Sequence, residues 1–147
     1  MVLRQSIEKL LAESESSFGC SSGVKALPNS EVRAKGEALE FAVCEWLKDR
    51  GYYIALRRFR TPFAEIDIIA MSAHRDFLLI EVKSSLWPDD CALNLSQSQR
   101  QRLMRACSWV TEELTGLAGL PNYPEVELLL VVPEAMRRDS FQMIAIF

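Results

Sequence analysis

Two short apolar segments in the middle of the chain carry charged residues that an ordinary buried strand would exclude. The stretch EIDIIAMSAHRDFLLIEVK, residues 65–83, has the pattern of two strands around a turn, with four charged residues inside or at the ends of its apolar runs: Glu65, Asp67, Glu81 and Lys83. Ionised groups are costly to bury unless they are paired or bound to a metal. Any fold of this chain must therefore give these four residues a shared, compensated environment.

The four charged residues are in phase with the alternation of a β-strand. Since successive side chains alternate between faces, Glu65 and Asp67 are predicted to share one face of the first strand. Glu81 and Lys83 are predicted to share one face of the second. A hairpin centred on His74 places Asp67 opposite Glu81, and Glu65 then lies opposite Lys83, so all four charges should converge. The apolar residues between them are predicted to take the other face: Ile66 and Ile68 on the first strand, Leu78, Ile80 and Val82 on the second.

Carboxylates that face each other repel unless a cation lies between them. Oxygen ligands suit a hard cation such as Mg²⁺, with Mn²⁺ as a substitute, and Mg²⁺ is held by only one or two carboxylates and keeps several waters. The metal lowers the pKa of a bound water and polarises a phosphoryl oxygen. A neighbouring lysine can orient the attacking water or stabilise developing negative charge. The pattern therefore predicts hydrolysis of a phosphodiester, and an ion-paired hairpin joining Lys83 to Glu65 is the purely structural alternative.

Charge is unevenly distributed along the chain. The formal net charge is -3, which does not indicate a general nucleic-acid-binding protein. Residues 61–90 alone hold six acidic and two basic residues, a balance of -4 that a divalent cation would offset. Basic residues gather elsewhere, and four of them are expected to contact the phosphates of a nucleic acid, most simply DNA: Arg58, Arg60, Arg100 and Arg102.

Hydrophobic periodicity predicts three helices and five strands. The order is a short helix near 3–13, a helix near 31–50, three strands, a helix near 96–117 and two strands. A three-strand meander followed by a helical crossover gives an α/β fold, a mixed sheet of about five strands flanked by helices. Residues 14–30 are rich in Ser and Gly and have the composition of a linker. Residues 1–30 are therefore predicted to be an appendage of a domain at 31–147, packed on that domain or on a second copy.

The chain shows neither membrane nor secretion signals. No apolar run approaches the roughly 20 residues of a membrane helix, and the charged N-terminus argues against a signal peptide. We therefore expect a cytoplasmic protein without membrane contact. The four cysteines form no C-x-x-C pair, which argues against a zinc knuckle. Cys44 and Cys107 lie on apolar helix faces and are expected to be small core residues.

Four short motifs, in order and spacing, carry a resemblance to a known family. They are Gly36-Glu37 opening a helix, Gly51-Tyr52, Glu65-Ile66-Asp67 and Glu81-Val82-Lys83. With these motifs, residues 33–132 resemble the YraN-like family of small bacterial proteins. That family belongs by similarity to the PD-(D/E)xK nuclease superfamily. The resemblance implies a restriction-endonuclease-like core and an endonuclease-like metal-dependent phosphodiesterase activity.

The resemblance also implies a role for each matched residue. Asp67 and Glu81 would bind the metal, with the backbone carbonyl of Val82 as a further ligand. Lys83 would be the catalytic lysine. Glu37 would reach the site from the first long helix through a metal-bound water; its alternative is a helix-start acid that interacts with the helix dipole.

Other matched positions have supporting roles or depart from the family pattern. Glu65 lies beside the metal-binding acids. The family often has Lys where this chain has Gln99, and related nucleases use a Gln there, so Gln99 is expected to touch the site. The family usually has Asn where this chain has Arg58.

Three functions follow from these observations. The first is a Mg²⁺-dependent nuclease, with branched or damaged DNA among its candidate substrates. The second is a nucleic-acid-binding module of the same fold with weak or lost catalysis. The third is a non-enzymatic interaction protein that recruits a partner through the N-terminal helix. Small single-domain nucleases often cut both strands as dimers, so a homodimer is among the candidate assemblies.

Overall fold

Three helices and five strands make up the part of the chain that the computed structural model describes, namely residues 2–14, 31–84, 95–134 and 139–146. In chain order they are α1 (Val2–Ser14), α2 (Glu31–Asp49), β1 (Tyr53–Arg60), β2 (Glu65–Met71), β3 (Phe77–Val82), α3 (Gln97–Leu114), β4 (Val126–Pro133) and β5 (Phe141–Ala145). None of the described helices is long and apolar enough to cross a membrane. Most of the predicted linker lies outside the described residues.

The five strands form one mixed sheet in the order β1-β2-β3-β4-β5. Strands β1, β2 and β3 make an antiparallel meander, β3 and β4 are parallel, and β4 and β5 are antiparallel. Because parallel strands need a long crossover connection, α3 fits between β3 and β4 in the chain. The predicted element order and the predicted mixed sheet of five strands flanked by helices are therefore confirmed.

Helices cover both faces of the sheet, and each face has its own apolar core. On the face covered by α2, the buried residues include Val43, Trp46 and Leu47 of the helix with Ile68, Ala70, Leu78, Ile80, Leu129 and Val131 of the sheet. On the face covered by α1 and α3, they include Leu3, Ile7, Leu103, Ala106, Val110 and Leu114 of the helices with Ile66, Ile69, Leu79 and Leu130 of the sheet. Two apolar layers therefore fix the orientation of the strands that carry the charged residues.

The N-terminal helix α1 contributes directly to one of these cores. Its residues Leu3, Ile7 and Leu11 are buried among residues of the sheet and of α3, and Leu10 is partly buried beside them. Arg4 Nε also donates to the backbone oxygen of Glu113 at 2.9 Å, near the end of α3. Of the two packing alternatives for this helix, the structure shows the one in which α1 packs on the domain.

The two described cysteines are free thiols within the apolar layers. Cys44 is buried in the core beneath α2, and Cys107 is half-buried against the core beneath α3. Burial raises the pKa of both thiols, so both are held in the neutral form. The expectation that they are small core residues is confirmed, while Cys20 and Cys91 lie outside the described residues.

The burial of α1 predicts a stability effect. Ile7→Ala removes a fully buried side chain and should lower the free energy of unfolding by about 2–5 kcal/mol, as other large-to-small core changes do. Val2→Ala, at an exposed position of the same helix, should change it by less than about 0.5 kcal/mol. Urea unfolding of both variants measures the difference. Equal stability of the two variants would show that α1 is not packed in the core.

Candidate active site

The β2–β3 hairpin has the register that the sequence predicts. Its pairs run from Met71 opposite Phe77 to Ile68 opposite Ile80, which centres the hairpin on residue 74. The paired ladder ends there, immediately before the charged residues. Beyond it, the backbone N–H of Val82 donates to Asp67 Oδ2 at 2.8 Å. The Asp67 side chain therefore joins β2 to β3 where the backbone pairing has stopped.

Glu81 is a buried carboxylate held from two directions. Its Oε1 lies 2.9 Å from Lys83 Nζ, two residues along the chain. The same oxygen accepts a hydrogen bond from Gln99 Nε2 at 3.3 Å. Gln99 is placed by the start of α3, where the N-cap Ser96 accepts from the Gln99 backbone N–H at 3.1 Å. A helix N-terminus thus delivers a polar side chain to the end of β3.

A small pocket of about 130 Å³ opens beside this carboxylate, lined by Ala64, Glu65, Glu81, Gln99, Arg102 and Leu103. Glu65 Oε2 accepts from Arg60 Nε at 2.9 Å, across the β1–β2 pair. Lys83 forms its ion pair with Glu81, not with Glu65 as the structural alternative supposed. The structure thus brings Asp67, Glu81, Lys83 and Gln99 together and places Glu65 on the pocket wall.

The predicted alternation of β2 is wrong at one point. Ile66 and Ile68 do not share a face, because Ile66 packs in the core with α1 and α3 whereas Ile68 packs in the core with α2. On the adjacent strand, Arg58 has a φ of 48°, in the left-handed region that L-residues rarely adopt. That conformation interrupts the pleat of β1. Beside it, between Ile66 and Ile68, the alternation of side chains along β2 is reversed. Asp67 lies where the pleat changes.

Glu37 is bound in an ion-pair cluster between α2 and β1. Arg58 donates to both carboxylate oxygens of Glu40, from Nε at 2.9 Å and from Nη2 at 3.0 Å. Its Nη1 donates to Glu37 Oε1 at 3.2 Å, and Arg57 Nη2 lies 3.6 Å from Glu40 Oε2. The guanidinium of Arg58, predicted to contact phosphate, is thus engaged with two carboxylates of α2.

Glu40 is the residue of this cluster that the sequence reasoning missed. Its side chain is only 7% exposed, although it carries a carboxylate on a helix. The neighbouring residues of α2 form an apolar stripe, which hid the charged position. The spacing of three between Glu37 and Glu40 puts both on one helical face, and the Arg57-Arg58 pair on the next element could have suggested a partner.

Negative charge in the site is incompletely compensated. The pKa of Asp67 is raised from its ordinary 3.8 to about 7, first because the carboxyl is buried and then because Glu81 is close. Glu40 adds to the rise, while the Val82 N–H and the charge of Lys83 oppose it. A cation placed between Asp67 and Glu81 would favour the charged carboxylate and reverse the shift.

The carboxylates present fit Mg²⁺ better than a metal that requires a full set of protein ligands. Among the described residues, no group of three or more His, Cys, Asp and Glu side chains is arranged to hold a metal. Mg²⁺ is commonly bound by one or two carboxylates together with water and substrate oxygens. Asp67 and Glu81 match that requirement, and the carbonyl of Val82 lies on the segment between Glu81 and Lys83.

The predicted phosphate-binding arginines differ in their surroundings. Arg102 lines the pocket, and Arg100 lies in the first turn of α3 near it. Arg60 is 86% exposed although it is paired with Glu65, so its guanidinium is accessible from solvent. Arg58 is held by Glu37 and Glu40 of α2.

The raised pKa of Asp67 predicts a pH-dependent stability. Between about pH 4 and pH 7 the folded state holds this proton more tightly than the unfolded state, so the free energy of unfolding of the metal-free protein falls as pH rises. Above about pH 7 the Asp67 carboxyl is ionised in the folded state, and the free energy of unfolding falls no further on its account. Asp67→Asn cannot ionise, and without metal it should melt above wild type at pH 8, with a smaller difference at pH 5.

Thermal melts at both pH values, with and without Mg²⁺, measure this effect. Mg²⁺ at pH 8 should raise the melting temperature of wild type and leave that of Asp67→Asn unchanged. Asp49→Asn, at an exposed position of α2, is the matched control and should behave as wild type. A wild type and an Asp67→Asn variant with the same pH dependence would contradict the assigned environment of Asp67.

Two solved structures have a distant similarity to this chain. A repair endonuclease from Pyrococcus abyssi matches with a TM-score of 0.45 and 14% identity, covering 76% of this chain and 41% of that chain. The EndoMS protein of an EndoMS–dsDNA2 complex matches with a TM-score of 0.41 and 15% identity, covering 79% and 41%. This chain therefore spans less than half of either protein.

Curated relatives are closer in sequence. A UPF0102 protein of Rhodopseudomonas palustris strain BisA53 is 34% identical over 108 residues, covering 70% of this chain and 77% of the relative. A UPF0102 protein of Caulobacter vibrioides strain NA1000 is 30% identical over 100 residues, covering 68% and 79%. The model of Uncharacterised protein family UPF0102 matches residues 39–146. The chain therefore belongs to the UPF0102 family, the YraN family that its motifs indicate.

Proposed function

We propose that this protein is a Mg²⁺-dependent nuclease that hydrolyses phosphodiester bonds of DNA. The proposal is carried by one observation, the half-buried carboxylate of Asp67 and the buried carboxylate of Glu81 on adjacent strands beside Lys83. Their mutual repulsion contributes to the raised pKa of Asp67, which marks a place that lacks positive charge. A divalent cation would supply the missing positive charge, and it would polarise a phosphoryl oxygen of a phosphodiester substrate.

The acidic residues are assigned to metal binding. Asp67 and Glu81 would hold the ion, with the Val82 carbonyl as a further ligand. When bound, Mg²⁺ supplies Lewis acidity toward a phosphoryl oxygen and a more acidic water. Gln99 and Lys83 both bind Glu81 Oε1, so they hold this carboxylate in a fixed orientation. Glu37 remains a proposed participant through a bridging water, although it is paired with Arg58.

Lys83 is assigned to the transition state. Its ammonium is 2.9 Å from Glu81, and its side chain is 30% exposed, so it faces both the carboxylate and the open side of the site. An ammonium there can hold an attacking water or stabilise the charge that develops on the phosphoryl oxygens. Arg102 on the pocket wall, Arg100 near it and the exposed Arg60 would contact the flanking phosphates.

The proposed interaction-protein function loses its main support. That hypothesis uses the N-terminal helix α1 to recruit a partner, and the apolar side of α1 is the surface best suited to such a contact. Leu3, Ile7 and Leu11 of that side are buried in the core of the domain. The nucleic-acid-binding module of the same fold stays as the second candidate, since the site residues would bind nucleic acid whether or not they cut it.

A cleavage assay tests the proposed nuclease. Single-stranded, duplex, branched and mismatched DNA and RNA are each incubated with Mg²⁺, Mn²⁺ or EDTA, and Mn²⁺ binding is measured by calorimetry. Wild type and the control Asp49→Ala should bind Mn²⁺ and cut at least one DNA, whereas Asp67→Ala should do neither. Equal metal binding by Asp67→Ala would contradict the assigned ligands. Binding of nucleic acid without cleavage under any metal would favour the second candidate.

Lys83 should affect the rate of cleavage more than folding. Lys83→Ala is expected to fold and bind DNA but to lose on the order of 10²–10³ in cleavage rate, as other electrostatic groups at a transition state do. Lys83→Arg should also be impaired, because its charge is spread over a planar group of different reach. Lys48→Ala, which removes an exposed lysine paired with Glu45, is the matched control. A Lys83→Ala variant that melts lower but cuts at the wild-type rate would show that Lys83 only balances charge.

The arginines of α3 should determine salt-dependent binding. Each lost phosphate contact lowers the slope of log affinity against log salt by about 0.9 in B-DNA, so Arg100→Ala with Arg102→Ala should reduce it by roughly 2. Duplex binding measured across salt concentrations gives the slope. Arg50→Ala, at the end of α2 on the other face of the sheet, is the control. An unchanged affinity and slope in the double variant would place the binding surface elsewhere.

A further inference from the structure

Arg58 and Glu40 lie outside the metal-binding pair but beside the position where β1 and β2 change face. We infer that these two residues form a positioning pair, which holds Asp67 against the backbone of β3. The inference deepens the proposed function and rests on it for the role of Asp67. Its structural content, the placement of the Asp67 side chain, can be tested without metal or substrate.

The change of face occurs on both strands at the same level. Arg57 lies opposite Ile68, and Phe59 lies opposite Ile66, so Arg58 and Asp67 occupy the level between these pairs. Below this level, Arg57 contacts Glu40 of α2 and Ile68 packs in the α2 core. Above it, Phe59 stacks on Trp109 of α3 and Ile66 packs in the α1 and α3 core. The two strands therefore turn over together at Arg58 and Asp67.

The conformation of Arg58 needs support from outside its own strand. A non-glycine residue at a φ of 48° is strained and persists when its surroundings fix it. Glu40 supplies that support by accepting from Nε at 2.9 Å and from Nη2 at 3.0 Å. Such paired, charge-assisted bonds fix the orientation of a guanidinium as well as its position. Since Glu40 is buried, the bond is shielded from water.

The same pairing directs the guanidinium of Arg58 toward α2. The backbone of Arg58 lies at the level of Asp67 on the neighbouring strand. The charge of Glu65, a carboxylate of the sheet, also acts on this guanidinium. Glu40 and Glu37 of α2 occupy the guanidinium. Asp67 is thus left to accept the Val82 N–H at 2.8 Å and to face Glu81.

Hydrogen exchange at the Val82 amide reports the placement of Asp67 directly. The adjacent Lys83 amide donates to the Val131 carbonyl at 3.0 Å, so it monitors the stability of β3 itself. Loss of global stability accelerates both amides, whereas loss of the Asp67 contact accelerates only Val82. The ratio of the two exchange rates therefore separates positioning from general destabilisation.

The test measures this ratio by NMR in metal-free wild type, Glu40→Gln and Arg58→Asn. Asn tolerates a positive φ better than most residues, so Arg58→Asn removes the ion pair with little backbone penalty. Both variants should raise the Val82 rate relative to the Lys83 rate at least tenfold. Arg58→Lys cannot make two parallel hydrogen bonds to Glu40, so it should also raise this ratio. It replaces Glu40→Gln in the test if that variant does not fold.

The controls keep this inference separate from the nuclease proposal. Glu45→Ala breaks an exposed ion pair of α2, Lys48 Nζ to Glu45 Oε1 at 2.8 Å, and should leave the ratio unchanged. A wild-type ratio in Arg58→Asn would overturn the positioning pair. A wild type that binds no Mn²⁺ and cuts nothing would refute the proposed nuclease, whereas the exchange ratio would still decide whether Arg58 and Glu40 place Asp67.

Discussion

The hydrogen bond from the Val82 N–H to the Asp67 carboxylate is the contact on which the arrangement of the site depends. The paired ladder of β2 and β3 stops at Ile68 and Ile80, so this side chain joins the strands beyond that point. The bond also lowers the pKa of Asp67, but burial and the charge of Glu81 outweigh it. The fold thus holds a carboxylate in a place where it is costly to ionise, which is the condition for a site that gains from a cation.

The two apolar layers stabilise the fold and so offset the cost of ionising Asp67 in this place. Strand β3 lies in the middle of the sheet, with α2 on one face and α1 and α3 on the other. Because these cores fix β3, Glu81 cannot move away from Asp67 without disturbing buried neighbours. The N-cap of α3 then brings Gln99 to Glu81, so one helix both completes the core and supplies a polar contact.

The sequence predicts the strands and the register well because these follow from local patterns. The centring of the hairpin on His74 depends only on turn position, and the placement of Glu81 on the face opposite to Leu78, Ile80 and Val82 depends only on alternation. The opposite faces of Ile66 and Ile68 could not be predicted, because regular alternation does not anticipate an irregularity, and here the change of face lies beside the positive φ of Arg58. The sequence alone does not decide the packing of α1, because an amphipathic helix fits a domain or a second copy equally well.

Buried Glu40 shows why the charged cluster on α2 escaped sequence reasoning and what it adds to the site. A carboxylate in an apolar helical stripe is explained only by its partner on another element, here Arg58 on β1. Two kinds of arginine then surround the acidic centre. Those on β1 next to α2 are neutralised by carboxylates, whereas Arg102 on α3 borders the pocket. In the proposed function, a phosphodiester would meet positive charge on the α3 side, and in the proposed positioning pair the α2 side holds Asp67 in place.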